Sequence, residues 1–81
     1  MNVQVKVYPI AGVCETAQVT DITLDKGCLS ELLAILSRQF NTDLGSLRIM
    51  ILCNGQSLDI DSDAILSNDD SLWVLPVISG G

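Results

Sequence analysis

The chain has 81 residues, of which 48% are hydrophobic, and it carries a formal net charge of -6. This length is enough for one domain with one core, and the apolar share argues against an intrinsically disordered chain. Four basic residues against ten acidic ones argue against nucleic acid and anionic membranes as partners, because both require a cationic surface.

The chain has three scattered cysteines, Cys14, Cys28 and Cys53, and no histidine. An odd set without Cys-x-x-Cys spacing indicates free thiols in a reducing compartment, and no zinc site is expected. A Ser-His or Cys-His nucleophile within this chain is ruled out because the usual base is missing. No signal-peptide pattern and no membrane-length apolar run is found. We therefore expect a cytoplasmic protein that binds no metal.

Two strands begin the chain. Val3, Val5 and Val7 alternate with polar residues from Asn2 to Tyr8, the pattern of a half-buried strand. A second β-branched run covers residues 16–24, but its apolar phase shifts by one position, which predicts a bulge near Thr20-Asp21. With Gly12 in the connection, the two strands are predicted to form a hairpin.

A helix is predicted from Leu29 to about Phe40. Its apolar residues recur at the spacing of one helix face, which forms a stripe of Leu29, Leu32, Leu33, Leu36 and Phe40. Glu31 stands where the acid of a capping box would stand if Cys28 were the N-cap residue.

The second half predicts three more strands. Residues 47–53 are almost continuously apolar, which is typical of a strand covered on both faces. Asn54-Gly55 predicts a tight turn, followed by a short edge strand over residues 57–60. Residues 61–70 are mostly polar, and residues 71–76 form the last strand. One apolar helix stripe and one apolar sheet face predict a two-layer α+β domain over residues 1–76.

Trp73 and Leu75 alternate with Leu72 and Val74 in the last strand. If Leu72 and Val74 face the helix, Trp73 and Leu75 lie on the open face of the sheet, where they predict a docking patch for a partner. The alternative, that Trp73 packs under a loop, is equally compatible with the sequence.

The last residues form a predicted tail, residues 77–81, that ends in Ser79-Gly80-Gly81. Glycines without an anchor keep their backbone freedom, so we expect a flexible, thin tail whose useful group is the carboxylate of Gly81. Two glycines alone favour a frayed end, but the strand-like residues that run directly into the tail favour a functional one.

Two other motifs are weaker. Asp59, Asp61 and Asp63 have the spacing that begins a calcium-binding loop, but Ala64 replaces the required glycine, which favours an acidic surface loop. Asp70-Ser71-Leu72 spells an acyl-carrier signature, but a strand-like sequence ending in Pro76 follows Ser71 where a carrier requires a helix.

The chain as a whole resembles the ubiquitin-like sulfur-carrier family, in particular the small subunit of molybdopterin synthase and, close to it, the sulfur carrier of thiamine biosynthesis. The matching features are the valine-rich first strand, Ile22-Thr23-Leu24 before the helix, Leu32-Leu33 within it, and Cys53-Asn54-Gly55 at the turn. At the end they are Asp70-x-Leu72-x-Val74-x-Pro76 and Ser79-Gly80-Gly81. The resemblance implies a β-grasp fold, with a mixed sheet of four to five strands packed on one main helix.

The resemblance also implies a chemistry. A ubiquitin-activating-type adenylating enzyme would use ATP to activate the Gly81 carboxylate, and sulfur would then convert it to a thiocarboxylate. The chain would be a carrier with no bound cofactor, and the large subunit of molybdopterin synthase or another protein would accept the sulfur. Partner contacts are expected from Trp73, Leu75, Val77 and Ile78. A protein modifier joined through Gly81, and an interaction module with an incidental Gly-Gly, are the alternatives.

Overall fold

The computed structural model describes residues 1–77, and its elements follow the predicted order closely. The strands are β1 Asn2–Val7, β2 Gln18–Thr23, β3 Ile49–Cys53, β4 Gln56–Leu58 and β5 Ser71–Pro76, and the helix α1 is Leu29–Gln39. Short 3-10 turns cover Leu44–Ser46 and Ile60–Ser62. The predicted tail residues 78–81 lie outside the described part of the chain.

The five strands form one mixed sheet in the order β2-β1-β5-β3-β4. The first and last strands, β1 and β5, are parallel neighbours, whereas the other pairs are antiparallel. The helix α1 connects β2 to β3 in the chain, and its buried leucines share one core with the buried side chains of the sheet. This is the ubiquitin-like β-grasp fold that the sequence predicts, and it places β5 in the centre of the sheet.

The core lies between α1 and one face of the sheet. The predicted helix stripe is buried at Leu29, Leu32, Leu33 and Leu36, and Phe40, the C-cap residue, packs against it half-buried. The strands contribute fully or almost fully buried side chains that alternate along each strand: Val3, Val5, Val7, Ile22, Ile49, Ile51, Leu72 and Val74.

The predicted bulge in the second strand is wrong. The pairing of β2 with β1 runs without interruption from Asn2 opposite Thr23 to Val7 opposite Gln18. Ile22 faces the core, but Val19 lies on the opposite face and is 61% exposed. Because Val19 does not share the buried face with Ile22, no bulge is required.

The strand β3 is covered on one face only, which corrects a second prediction. Ile49 and Ile51 are buried under the helix, while Met50 on the other face is 40% exposed. A run of apolar residues does not reveal whether a second layer covers the sheet, and α1 covers only one face.

The start of the helix is capped by groups other than the predicted ones. Cys28 is the N-cap residue, but its side chain makes no capping hydrogen bond. The Glu31 carboxylate accepts from the N–H groups of Asp25, Lys26 and Gly27, in the loop before the helix. The Asp63 carboxylate instead accepts from the Ser30 N–H at 2.8 Å, a capping role that a distant loop performs.

Candidate functional site

The strand β5 positions the candidate site because it ends beside the predicted tail. The Val77 N–H donates to the Arg48 carbonyl oxygen at 3.1 Å, so pairing on the β3 side continues one residue past Pro76. Val77 itself is 47% exposed. The chain is therefore held to the sheet up to the last described residue.

Pro76 ends the pairing of β5 with β1. The Tyr8 N–H donates to the Val74 carbonyl oxygen at 2.9 Å, and in a parallel ladder the next donor to the Tyr8 carbonyl would be the N–H of residue 76. Proline has no N–H. The Tyr8 carbonyl instead accepts from the Cys14 thiol at 3.6 Å. Val77, the last described residue, is bound to the sheet on its β3 side.

The beginning of β5 is fixed by a clamp of side chains. Asn54, at φ 50° in the predicted tight turn, accepts from the Ser71 N–H and donates to the Asp70 carboxylate, both at 3.0 Å. Asp70 also accepts from the Ser67 N–H at 2.8 Å. This last bond is the main reason why the pKa of Asp70 is lowered. Burial, followed by the charge of Asp70, raises the pKa of the Cys53 thiol, which disfavours its reactive thiolate form.

These contacts account for two motifs of the sequence. Ser71 begins a strand and no helix follows it, so the acyl-carrier signature has no structural basis. Asp59 and Asp63 accept backbone hydrogen bonds at the starts of a 3-10 turn and of α1. Within residues 1–77 no group of three or more His, Cys, Asp or Glu side chains is arranged to hold a metal ion.

Aromatic side chains lie on the sheet face opposite the helix. Trp73 is 40% exposed there, and its ring meets the Tyr8 ring edge-on, with centroids 6.0 Å apart and planes at 68°. The Lys6 ammonium lies 4.9 Å from the centroid of the Tyr8 ring, a cation–π contact. Trp73 is therefore supported by β1 on one side, and no loop within residues 1–77 buries it.

Aliphatic side chains continue this surface toward the tail. Met50 on β3 stands opposite Leu75 on β5, and Met50 and Val77 line one shallow depression together with Asp59 and Asp61. We call Tyr8, Met50, Trp73, Leu75 and Val77 the open-face patch. An exposed apolar surface with an acidic margin is suited to a partner with an apolar centre and a basic rim.

Three of the predicted site residues, Trp73, Leu75 and Val77, thus share one surface. Ile78, Ser79, Gly80 and Gly81 lie beyond the described residues. Sequence reasoning missed Tyr8 and Met50. Tyr8 falls on the polar side of the predicted first strand, and only the parallel pairing of β1 with β5 brings it to Trp73. Met50 lies in a run of apolar residues that does not show which of them are exposed.

Comparisons with known proteins support the fold. No protein-family model matches the sequence, and no curated protein matches it significantly. Among solved structures the chain is similar to the crystal structure of SAMP1 from Haloferax volcanii. The two are 21% identical over the full length of both chains, with a TM-score of 0.75. At this identity the likeness shows a shared fold. No helix within residues 1–77 is long and apolar enough to cross a membrane.

Proposed function

We propose that the protein is a sulfur carrier that uses the carboxylate of Gly81. A ubiquitin-activating-type enzyme attaches the carboxylate to the adenylyl group of ATP and releases pyrophosphate. Hydrosulfide then attacks the acyl-adenylate, displaces AMP and leaves a thiocarboxylate on Gly81. The chain is a co-substrate in both steps, and the partner enzyme supplies the catalytic groups and the ATP site.

The observation that carries the proposal is the path of β5. The strand is clamped at Asp70, leaves β1 at Pro76 and remains bound to Arg48 through Val77. In the sequence, Gly80-Gly81 follows within four residues of Val77, and Val77 belongs to the open-face patch. This arrangement supports a carrier because one partner can contact the patch and receive the adjoining tail in the same encounter.

The proposal also names a sulfur acceptor. The sequence from Pro76 to Gly81 resembles the end of the molybdopterin synthase small subunit, so we propose that the acceptor is the large subunit of that synthase and that the sulfur is passed to a pterin precursor. Transfer in thiamine biosynthesis, or to another sulfur-containing metabolite, would use the same activated group. A protein modifier would also share the adenylation step and would differ only in the nucleophile, an amine that forms an isopeptide bond.

The test is the intact mass of the protein purified from its native host, before and after incubation with its activating enzyme, ATP and a sulfur donor. A carrier gains the mass difference between sulfur and oxygen at Gly81. Iodoacetamide then alkylates the thiocarboxylate sulfur and adds one carbamidomethyl group, which fragmentation locates at Gly81 and distinguishes from the alkylated cysteines. The same spectrum establishes which residue ends the native chain. A ladder of conjugates to other proteins, without the sulfur-containing species, would support the modifier and overturn the carrier.

A further inference from the structure

The two edges of the sheet differ in how much unpaired backbone they expose. The outermost strands are β2, with six residues, and β4, with three. An edge strand leaves the N–H and C=O groups of every second residue without a strand partner. Such a row of groups can pair with an extended segment of another protein.

The hydrogen bonds at the chain start identify the unpaired residues of β2. Met1 and Leu24 exchange both backbone bonds, at 2.8 and 3.3 Å. Because bonded pairs alternate in an antiparallel ladder, Ile22, Thr20 and Gln18 also bond to β1. The N–H and C=O groups of Val19, Asp21 and Thr23 therefore point away from the sheet. None of the turn, loop and side-chain hydrogen bonds among residues 1–77 uses them.

The opposite edge of the sheet, at β4, exposes fewer unpaired backbone groups. The two-residue turn makes Cys53 and Gln56 a bonded pair, and the register continues through Leu52 with Ser57 to Ile51 with Leu58. By the same alternation only Ser57 of β4 directs its backbone groups outward. An added strand would gain bonds from one residue at β4 and from three residues at β2.

The side chains along the β2 edge define what would pair with it. Val19 is 61% exposed, and Asp21 and Thr23 are exposed on the same sheet face. Asp21 is the charged residue of β2 itself, and Glu15 before the strand and Asp25 after it are also acidic. The nearest basic residues are Lys26, which follows Asp25, and Lys6, which stands opposite Val19 on β1. We propose that this edge binds an extended protein segment by antiparallel strand addition, with a basic side chain opposite Asp21 and an apolar one opposite Val19.

A second copy of the chain is a poor occupant of the same edge. The two-fold register that would use all three outward residues places Val19 opposite Thr23 of the copy and Asp21 opposite its own copy. Like charges directly opposite each other destabilise a strand pair, and each chain carries a net charge of -6. A basic segment from a different protein forms the favourable pair instead.

This surface is separate from the candidate carrier site and does not depend on the proposed function. The strand β1 lies between β2 and β5, and neighbouring strands are about 4.8 Å apart. The outer edge of β2 is therefore about 10 Å or more from the axis of β5. A partner bound at β2 would leave the end of β5 accessible to a second protein.

The test uses two synthetic peptides and isotopically labelled full-length protein. The first peptide is acetyl-Thr-Thr-Arg-Thr-Ile-Thr-amide, which in the proposed register places Arg opposite Asp21 and Ile opposite Val19. The second replaces Arg by Glu. With the Arg peptide, hydrogen exchange should slow at the amides of Val19, Asp21 and Thr23. The amides of Gln18, Thr20 and Ile22, which already bond to β1, should change little.

Charge reversal provides the matched variants. Wild type should bind the Arg peptide about two- to fivefold more tightly than the Glu peptide, the size of one cross-strand charge pair. Asp21→Lys should reverse this preference. Asp61→Lys changes the net charge by the same amount as Asp21→Lys, but on an exposed turn near β4. This variant should still prefer the Arg peptide. Val19→Pro removes one outward N–H without removing a bond to β1, so it should weaken binding of the Arg peptide. The amide spectrum of this variant checks that it is folded.

Several results would overturn the proposal. They are the absence of binding by both peptides up to their solubility limit, equal binding of both, an equal response of the two charge-reversal variants, or exchange protection at Ser57 in place of the three β2 amides. Protection of the β2 amides without peptide, together with a dimer in sedimentation equilibrium, would assign the edge to a second copy of the chain.

Discussion

The carboxylate of Asp63 accepts a hydrogen bond from the backbone N–H of Ser30 at 2.8 Å, across a separation of 33 residues. It supplies the cap that the Cys28 side chain does not form at the start of α1. The same loop is joined to the helix start by the Leu29 N–H, which donates to the Ala64 carbonyl at 2.9 Å. The loop before β5 thus stabilises the start of α1.

This cap makes stability depend on pH. The hydrogen bond from Ser30 is the largest cause of the lowered pKa of Asp63, below its ordinary value of 3.8. A lowered folded-state pKa means that the stabilisation is fully present above 3.8 and is lost as the pH falls through the folded-state value. Asp63→Gly, which suits the left-handed backbone at φ 48°, should lower the melting temperature at neutral pH. The difference from wild type should narrow in acid.

Asp63→Asn is the control for the pH experiment, because an amide oxygen can still accept the Ser30 N–H but does not titrate. At neutral pH it should melt between Asp63→Gly and wild type, because it keeps an acceptor but lacks the charge, and its difference from Asp63→Gly should not change with pH. Melting temperatures measured by circular dichroism across the acid range check both variants. A constant difference between Asp63→Gly and wild type at every pH would show that the carboxylate charge is not involved.

Leu36 should contribute a large part of the stability of the domain. Its side chain lies in the predicted helix stripe and is fully buried. Leu36→Ala should lower the free energy of unfolding by about 2–5 kcal/mol, through lost burial and the cavity that remains. Urea denaturation measures this loss, and a value well under about 1 kcal/mol would contradict the packing of α1. Ala34→Ser, at an exposed position of the same helix, is the control and should lower the free energy of unfolding much less than Leu36→Ala.

Trp73 and Leu75 should contribute to binding more than to folding. The Trp73→Ser, Leu75→Ser double variant should bind the activating enzyme more weakly, because it removes the centre of the open-face patch. Its stability should fall less than that of Leu36→Ala, although losing the edge contact with Tyr8 should cost about 0.5–1.5 kcal/mol. Calorimetric titration with the enzyme and thermal melting check the two effects.

Val19→Ser is the matched control for the patch, since Val19 is exposed on the same sheet face but lies on β2. It should leave binding of the activating enzyme unchanged. Unfolding of the double variant under conditions where wild type is folded would assign Trp73 and Leu75 to the core.

Pro76 should determine where the chain leaves the sheet. Pro76→Ala introduces an N–H that can donate to the Tyr8 carbonyl, whose present donor is the Cys14 thiol. The new amide should be protected from hydrogen exchange. Because β5 would then remain paired with β1 for one more residue, ATP-dependent pyrophosphate exchange by the activating enzyme should slow. Rapid exchange at residue 76 would show that Pro76 does not limit this pairing.

Gly81 should be required for activation. Adding one residue after Gly81, deleting Gly81, or introducing Gly80→Val should each suppress pyrophosphate exchange, because each moves the carboxylate or adds a side chain beside it. None changes residues 1–77, so stability should stay within about 0.5 kcal/mol of wild type. Exchange at the wild-type rate by the extended protein would exclude the Gly81 carboxylate as the activated group.

The local patterns of the sequence determined most of the fold. Alternating valines predicted β1, one leucine stripe predicted α1, and Asn54-Gly55 predicted the turn before β4. The predicted last strand has the same bounds as β5, Ser71–Pro76. These features depend on residues close together in the chain, whose apolar spacing follows the period of the helix or strand they form.

Only the tertiary structure decided which distant residues meet. The contact of Tyr8 with Trp73 requires β1 and β5 to pair in one particular register, and the cap of α1 requires Asp63 to return to Ser30. The outward direction of the backbone at Val19, Asp21 and Thr23 depends on the pairing of β2 with β1 alone. Such contacts result from the packing of the whole core, in which the free energy of many buried side chains selects one register, and no local spacing encodes that choice.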